Sequence, residues 1–308
     1  MSQRGEIDLE RIRYGLRISD EKMRALGAFA TGPWQGSESI GRCLPALFNL
    51  GTLRSAPHRQ PLLRDVWLPG IQVMAARRQV GSADGLYLAA QGGHNAESHN
   101  HNDVGNFIVY ADGQPVIIDV GVETYSAKTF SPKRYEIWTM QSAYHNLPTV
   151  DGVMQGAGRE YAAREVAYYA DDRAAEFRLD IAAAYPLETG LESWRRVLRL
   201  QRVDNCIEVT DSYALKKPVR RVTLTLMTSC KVTRSAQSEL TFSGPFSRSS
   251  TVKVLYDEQA LTPAFEEIPI HDARLQAVWG DQLYRILLIA EKPPLKASWT
   301  LSIVQQAA

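Results

Sequence analysis

Apolar and polar positions change rhythm about sixty residues into the chain. Before that point Leu9, Ile12, Leu16, Met23, Leu26 and Phe29 recur at helical spacing, which predicts helix over residues 8–30. Ser19 and Asp20 are suited to cap a second segment within it. Residues 37–50 predict another short helical stretch, with Pro45 as a kink or a start. From about Pro57 the texture becomes that of strands. They are predicted over residues 71–77, 86–91, 104–111, 115–120, 161–169, 175–181, 194–201, 207–213, 219–227, 252–256, 275–279, 283–290 and 298–304. Val222, Leu224 and Leu226 alternate with Arg221, Thr223 and Thr225, as on a strand with one buried face. Asp112-Gly113, between two apolar runs, is a hairpin turn signal.

Many short strands with frequent turns predict a mainly β protein: a large antiparallel β-sandwich with a short N-terminal helical segment. The expected division is a helical segment over residues 1–58 and a sandwich over 59–308. So short a helical stretch is too small for a domain of its own. It is expected to be the tail of a helical domain absent from this chain.

Composition narrows the choices. The 308 residues suffice for a substantial core. With 35 basic and 34 acidic residues the net charge is +1, so attraction of the whole molecule to nucleic acid or an anionic membrane is not indicated. Cys43, Cys206 and Cys230 are too scattered for a disulfide framework or a zinc ribbon. No apolar run reaches membrane-spanning length, and the polar first nine residues lack the core of a secretory signal. Bacterial cytoplasm and periplasm both stay open. No phosphate-binding glycine loop, G-x-S-x-G elbow or H-E-x-x-H pattern occurs. The basic strings Arg195-Arg196-Arg199 and Lys216-Lys217-Arg220-Arg221 read as solvated strand faces or turns.

The chemistry concentrates around His99-Asn100-His101-Asn102-Asp103. Four of the six histidines (His94, His99, His101, His145) fall in this region, with Asp103 and Asp119. Imidazoles with a carboxylate suit a divalent metal such as zinc, and an unligated imidazole can move a proton near neutral pH. His58 and His271, standing alone, read as structural or surface residues. If the backbone is extended, His99 and His101 point the same way into one pocket. A regular hairpin at Asp112-Gly113 would pair Asp119 with Asn106, which has the opposite parity to His101. A bulge, or an irregular backbone near Gly105, is therefore expected if Asp119 is to share that pocket. Asp103 is either a ligand or, as preferred here, a residue that orients a histidine through its second nitrogen. His94, in a Gly-rich loop, is expected to support the pocket. Arg134 is suited to grip a carboxylate through its planar fork. Tyr135, Trp138 and Tyr144 would either stack on sugar rings or fill the core. Arg134, Trp138 and Tyr144 are the substrate-binding candidates.

His99-x-His101-x-Asp103-x-Gly105-x-Phe107, then Val116-Ile117-Ile118-Asp119-Val120-Gly121, then Tyr144-His145-Asn146, resembles the heparinase II/III-like polysaccharide lyases. The likeness covers about residues 37–160. It implies an N-terminal (α/α) toroid followed by a β-sandwich, so residues 1–55 would be the last toroid helices. By position it implies that His99 is catalytic and that His101, Asp119 and His145 hold zinc or another divalent metal. The implied reaction is β-elimination at a uronic acid residue of an acidic polysaccharide, of heparan, alginate or another type. A base removes the C5 proton while the carboxylate is neutralised, and O4 departs as it gains a proton. The metal would brace loops rather than act as a Lewis acid. The family's catalytic tyrosine and its partner lie in the toroid, so this chain alone is expected to be inactive or weak. A separate toroid domain or a homo-oligomer would be its protein partners. Two other readings compete: a carbohydrate-binding sandwich with a structural metal and no catalysis, and a cupin-like barrel, which the long strand series disfavours.

Overall fold

The computed structural model describes residues 60–244 and 250–307, together with Phe48, Gly51 and Ser55, each in helical conformation. The helices predicted over 8–30 and 37–50 otherwise lie outside the described residues. Contacts divide the chain into one compact unit of residues 1–63 with 80–82 and another of residues 64–79 with 83–308. All the strands named below belong to the second.

Three antiparallel sheets build it. A five-stranded sheet orders β1 (Asp65–Leu68), β2 (Val73–Arg77), β3 (Leu86–Gln91), β5 (Phe107–Ala111) and β6 (Gln114–Ile117). A four-stranded sheet orders β17 (Thr262–Pro269), β18 (Gln282–Glu291), β13 (Arg221–Thr228) and β7 (Pro148–Val150). An eight-stranded sheet orders β14 (Lys231–Ala236), β15 (Glu239–Ser243), β16 (Ser250–Leu255), β19 (Lys296–Ala307), β12 (Cys206–Leu215), β11 (Leu191–Gln201), β10 (Ala174–Asp180) and β9 (Arg164–Ala170). The short pair β4 (His94–Asn95) and β8 (Gly158–Ala162) stands apart.

In β13, expected to bury one face, Thr223 and Thr225 are buried as well as Val222, Leu224 and Leu226, because the strand lies inside the four-stranded sheet; clean alternation is seen in β12. In β12, Ile207, Val209, Tyr213 and Leu215 turn inward, while Thr210 and Ser212 pair outside with Thr300 at 2.8 Å and Ser298 at 2.7 Å. One core joins Met74, Leu88 and Val109 of the five-stranded sheet to Phe177, Trp194 and Val209 of the eight-stranded sheet, and to Leu224 and Ile286 of the four-stranded sheet. Burying such side chains stabilises by roughly 1.5–3 kcal/mol each. The five- and four-stranded sheets meet where the Ile118 N–H donates to Met227 O at 2.9 Å. The result is the mainly β antiparallel sandwich that the strand pattern predicts.

Two local expectations are corrected. Residues 275–279 form α-helix within α1 (Ala273–Trp279), not strand. Asp272 caps it, its Oδ1 accepting the Arg274 and Leu275 N–H groups at 3.0 Å each. So short an apolar run has no period that separates the two states. Residues 161–169 contribute to two strands, β8 and β9, rather than one. Strands β1, β4, β7, β14, β15 and β17 went unmarked by the pattern. β14 is mostly exposed and β17 carries Pro263 and Pro269, so neither shows clean alternation.

Arg196 is the larger correction. It is not on a solvated face but only 2 % exposed, in a bidentate pair with Asp211 at 2.8 and 2.8 Å. Its Nη1 donates to Gly105 O at 2.9 Å and Asn146 O at 2.7 Å, and Trp194 Nε1 donates to Asp211 Oδ1 at 2.8 Å. Removing one partner of such a pair strands a buried charge. Arg196→Met is expected to lower stability by about 3–5 kcal/mol, read as a shifted urea midpoint. A loss below about 1 kcal/mol would contradict the role given to this arginine.

Candidate functional site

The segment between β4 and β5 is irregular, and every turn of it is tied down. The Gln155 side chain accepts from Val104 N–H at 3.0 Å and from Asn95 Nδ2 at 3.0 Å, and donates to Val104 O at 2.8 Å. Gly105 has φ of +85°, and a Cβ there would meet Ile181 Cγ2 at 2.7 Å, so both backbone and space require glycine. The Gly105 carbonyl is the one that Arg196 holds.

The expected break in register is present. Ala111 pairs with Gln114 and Tyr110 with Pro115, but Val109 pairs with Ile117, so Val116 is a bulge residue. Both Val116 and Ile117 are buried in consequence. The turn residues Asp112 and Gly113 have φ of +50° and +76°, as a two-residue hairpin of this type requires. Immediately after the bulge the chain crosses at Ile118 to the four-stranded sheet, and Asp119 emerges at that crossing. His145 follows a series of 3-10 turns and is fully buried.

These elements bring His101, Asp119 and His145 together, with one ligand atom from each within 4.8 Å of the others. His145 Nδ1 lies 3.1 Å from Asp119 Oδ2. The His145 side chain is buried and that of Asp119 is 33 % exposed, and Asp119 and His101 line a cleft. Asn106 Nδ2 donates to Asp119 Oδ2 at 2.8 Å, and the Gly121 N–H donates to Asp119 Oδ1 at 2.8 Å. Asn146 sits behind: its amide donates to Phe107 O at 2.7 Å and Ile118 O at 2.9 Å, and its Oδ1 accepts from Met227 N–H at 2.7 Å. One side chain thus joins β5, the crossing at Ile118 and β13.

Electrostatics favour a cation. Burial, helped by the neighbouring His145, pushes His101 down to about 4, which leaves a neutral imidazole with a free lone pair at neutral pH. Burial works against ionisation of Asp119, yet the His145 and His101 rings and the Gly121 N–H hold it well below the usual carboxylate range. Burial likewise opposes charge on His145, but Asp119 outweighs it and raises its pKa. A metal ion would take the place of that proton. Neutral nitrogen, ionised oxygen, a mutual span below 5 Å and a place on a cleft make a donor set that fits a divalent ion.

The other expected residues divide. His99 sits on the rim, exposed, with φ of +59° rather than extended as the two-residue spacing suggested. It still lines, with His94, His101, Asp103 and Asp119, a cleft of about 430 Å³. His94 is engaged within its own loop, by the Ala96 N–H at 3.2 Å and Glu97 Oε1 at 3.2 Å. Asp103 makes no hydrogen bond to a histidine among the described residues; burial pushes its carboxyl up to about 6. Arg134 donates Nε to Asn100 O and Nη1 to Thr129 O, both at 2.9 Å, while its buried Nη2 has no hydrogen-bond partner among the described residues. Trp138 and Tyr144 pack edge to face, their ring centres 5.2 Å apart, against a second small core with Met227 and Leu275. None of these three lines the cleft. Gln155 and Tyr125 had no signal beyond residue type, and Asn106 and Asn146, though Asn146 stands in the quoted motif, were given no role, because their partners are distant in sequence.

Asn146→Ala leaves two carbonyls and an N–H without partners in the interior. It is expected to destabilise the fold by about 2 kcal/mol or more in urea unfolding, and an unchanged midpoint would contradict the bridging role.

A search of the curated proteins finds no match. Among solved structures, the heparan sulfate lyase HepC from Pedobacter heparinus superposes with a TM-score of 0.69 at 12% identity, over 99% of this chain and 42% of that one. A heparinase III superposes with a TM-score of 0.63 at 14% identity, over 96% of this chain and 42% of that one. This chain therefore spans less than half the length of these two, and at such identity the likeness is one of fold. The sequence model described as heparinase II/III-like, C-terminal, matches residues 70–252. With more than half of its length matched, this chain belongs to the heparinase II/III-like C-terminal family.

Proposed function

We propose that this chain is the sandwich part of a polysaccharide lyase that cleaves uronic-acid-containing polysaccharide by β-elimination. The observation that carries the reading is the position of His99: a solvent-facing imidazole on the rim of a cleft whose floor is His101 and Asp119. In this reading the metal, taken as zinc, is held by His101, Asp119 and His145. It supplies a fixed charge that braces the loops beneath the cleft. A sugar lying in the cleft presents its C5 hydrogen to His99, which accepts the proton or faces the neighbouring carboxylate. Leaving-group protonation at O4 falls to groups of a toroid, in keeping with the share of the solved relatives that this chain spans. The competing reading is a carbohydrate-binding sandwich with a structural metal.

Purified protein is expected to carry about one zinc ion per chain by elemental analysis. His101→Ala should lose it and melt at lower temperature, since a ligand bound only by the folded state stabilises that state. Full metal content in that variant would remove His101 from the ligand set. The chain alone is expected to give little or no rise in the ultraviolet absorbance of an unsaturated uronate. Addition of a toroid domain in trans should restore it, and His99→Ala should abolish the restored turnover while keeping the metal. Binding of oligosaccharide without turnover under those conditions supports the module reading. Robust turnover by the chain alone contradicts its incompleteness.

A further inference from the structure

Three groups from distant parts of the sequence stack beside the cleft. The His99 ring lies parallel to Tyr125, with 3° between the planes and 5.7 Å between centres. Tyr125 Oη is 3.4 Å from His99 Nδ1. The guanidinium of Arg274 lies over the Tyr125 ring at 5.6 Å from its centre. Phe130 meets the edge of Tyr125 at 5.5 Å and is 68 % exposed.

The placement of Arg274 is built rather than incidental. Asp272 caps α1 with Oδ1 and accepts the Thr124 N–H with Oδ2 at 2.9 Å. One carboxylate therefore fixes both the first turn that carries Arg274 and the segment that carries Tyr125. Arg274 is exposed, and among the described residues no carboxylate pairs with its side chain. Lys128 pairs with Glu136 at 3.1 Å, and Arg134 donates to backbone carbonyls. A guanidinium stacked on an aromatic face keeps its in-plane N–H donors free, which suits two-point recognition of a planar anion.

We propose that Arg274 is a specificity-determining residue that binds an anionic group of the polysaccharide one sugar away from the residue at His99. Tyr125 touches both the His99 ring and the Arg274 guanidinium, and the exposed Phe130 beside it offers apolar surface to a sugar ring. This rests on the lyase reading of the cleft and adds to it a second, charged subsite. The anion is a planar carboxylate, or a sulfate, which is tetrahedral but can still offer two of its oxygens to the fork.

The test is calorimetric titration of the full chain with an unsulfated glucuronate oligosaccharide and with its sulfated counterpart. Arg274→Gln is expected to weaken binding by about tenfold or more, the scale of one lost charged hydrogen-bonding group, and to flatten its dependence on salt. Arg274→Lys should recover part of the affinity, Tyr125→Phe should bind as the unmodified chain, and Tyr125→Ala should resemble Arg274→Gln. A loss confined to the sulfated ligand assigns the group to sulfate; an equal loss for both assigns it to carboxylate. Equal affinity of Arg274→Gln and the unmodified chain for both ligands overturns this inference and leaves the lyase reading standing. No binding of either ligand by the unmodified chain overturns this inference, and no turnover on addition of a toroid domain in trans overturns the lyase reading with it.

Discussion

The pair of Arg196 and Asp211 is the constraint on which the site is hung. An arginine with almost no access to water is tolerated because every face of it is answered: two carboxylate oxygens, two backbone carbonyls and the Phe107 ring at 5.6 Å. Desolvating the two ions costs several kcal/mol each, and only geometry of this quality offsets it. The same contacts define position. Gly105 ends the loop that carries His99 and His101, and Asn146 follows His145. One guanidinium, anchored to the rigid eight-stranded sheet, therefore sets where both histidine-bearing segments can lie.

From that anchor the rest follows by packing. The bulge at Val116 and the crossing at Ile118 deliver Asp119 to the same point from the opposite side. Asn146 ties the three approaches together through hydrogen bonds that leave none of its polar atoms idle. These bonds hold the His101, Asp119 and His145 group, which could take a metal ion, from several sides. The cleft above it is different in character: His99, Tyr125 and Phe130 are exposed and held by stacking, which suits contact with an extended sugar chain.

Much of this was legible in the residues. The alternation over residues 221–226 declared strand β13, although the structure buries both of its faces where one was expected, and Asp112-Gly113 declared its hairpin. Pairing Asp119 with Asn106 would conflict in parity with His101 and so required a break, and the bulge supplies it. What stayed hidden shares one cause. Arg196, Asn146 and Gln155 act through partners dozens of residues away, and a basic strand position reads as solvated until the other layer is known. Arg134, Trp138 and Tyr144 were marked for substrate because forks and rings are suited to it. In the fold those groups are committed to loop carbonyls and to packing, whereas Tyr125, which no spacing flagged, stands on the rim. α1 was misread because seven residues hold too little periodicity to outweigh their apolar content.

The proposed centre brings two imidazoles and one carboxylate to a single ion. X-ray absorption at the zinc edge of the purified, metal-loaded chain reads that shell directly. The account predicts about four light ligands near 2.0–2.1 Å, with the multiple-scattering signature of two imidazoles and no sulfur. A shell containing thiolate sulfur at about 2.3 Å, or oxygens alone without imidazole, would contradict it.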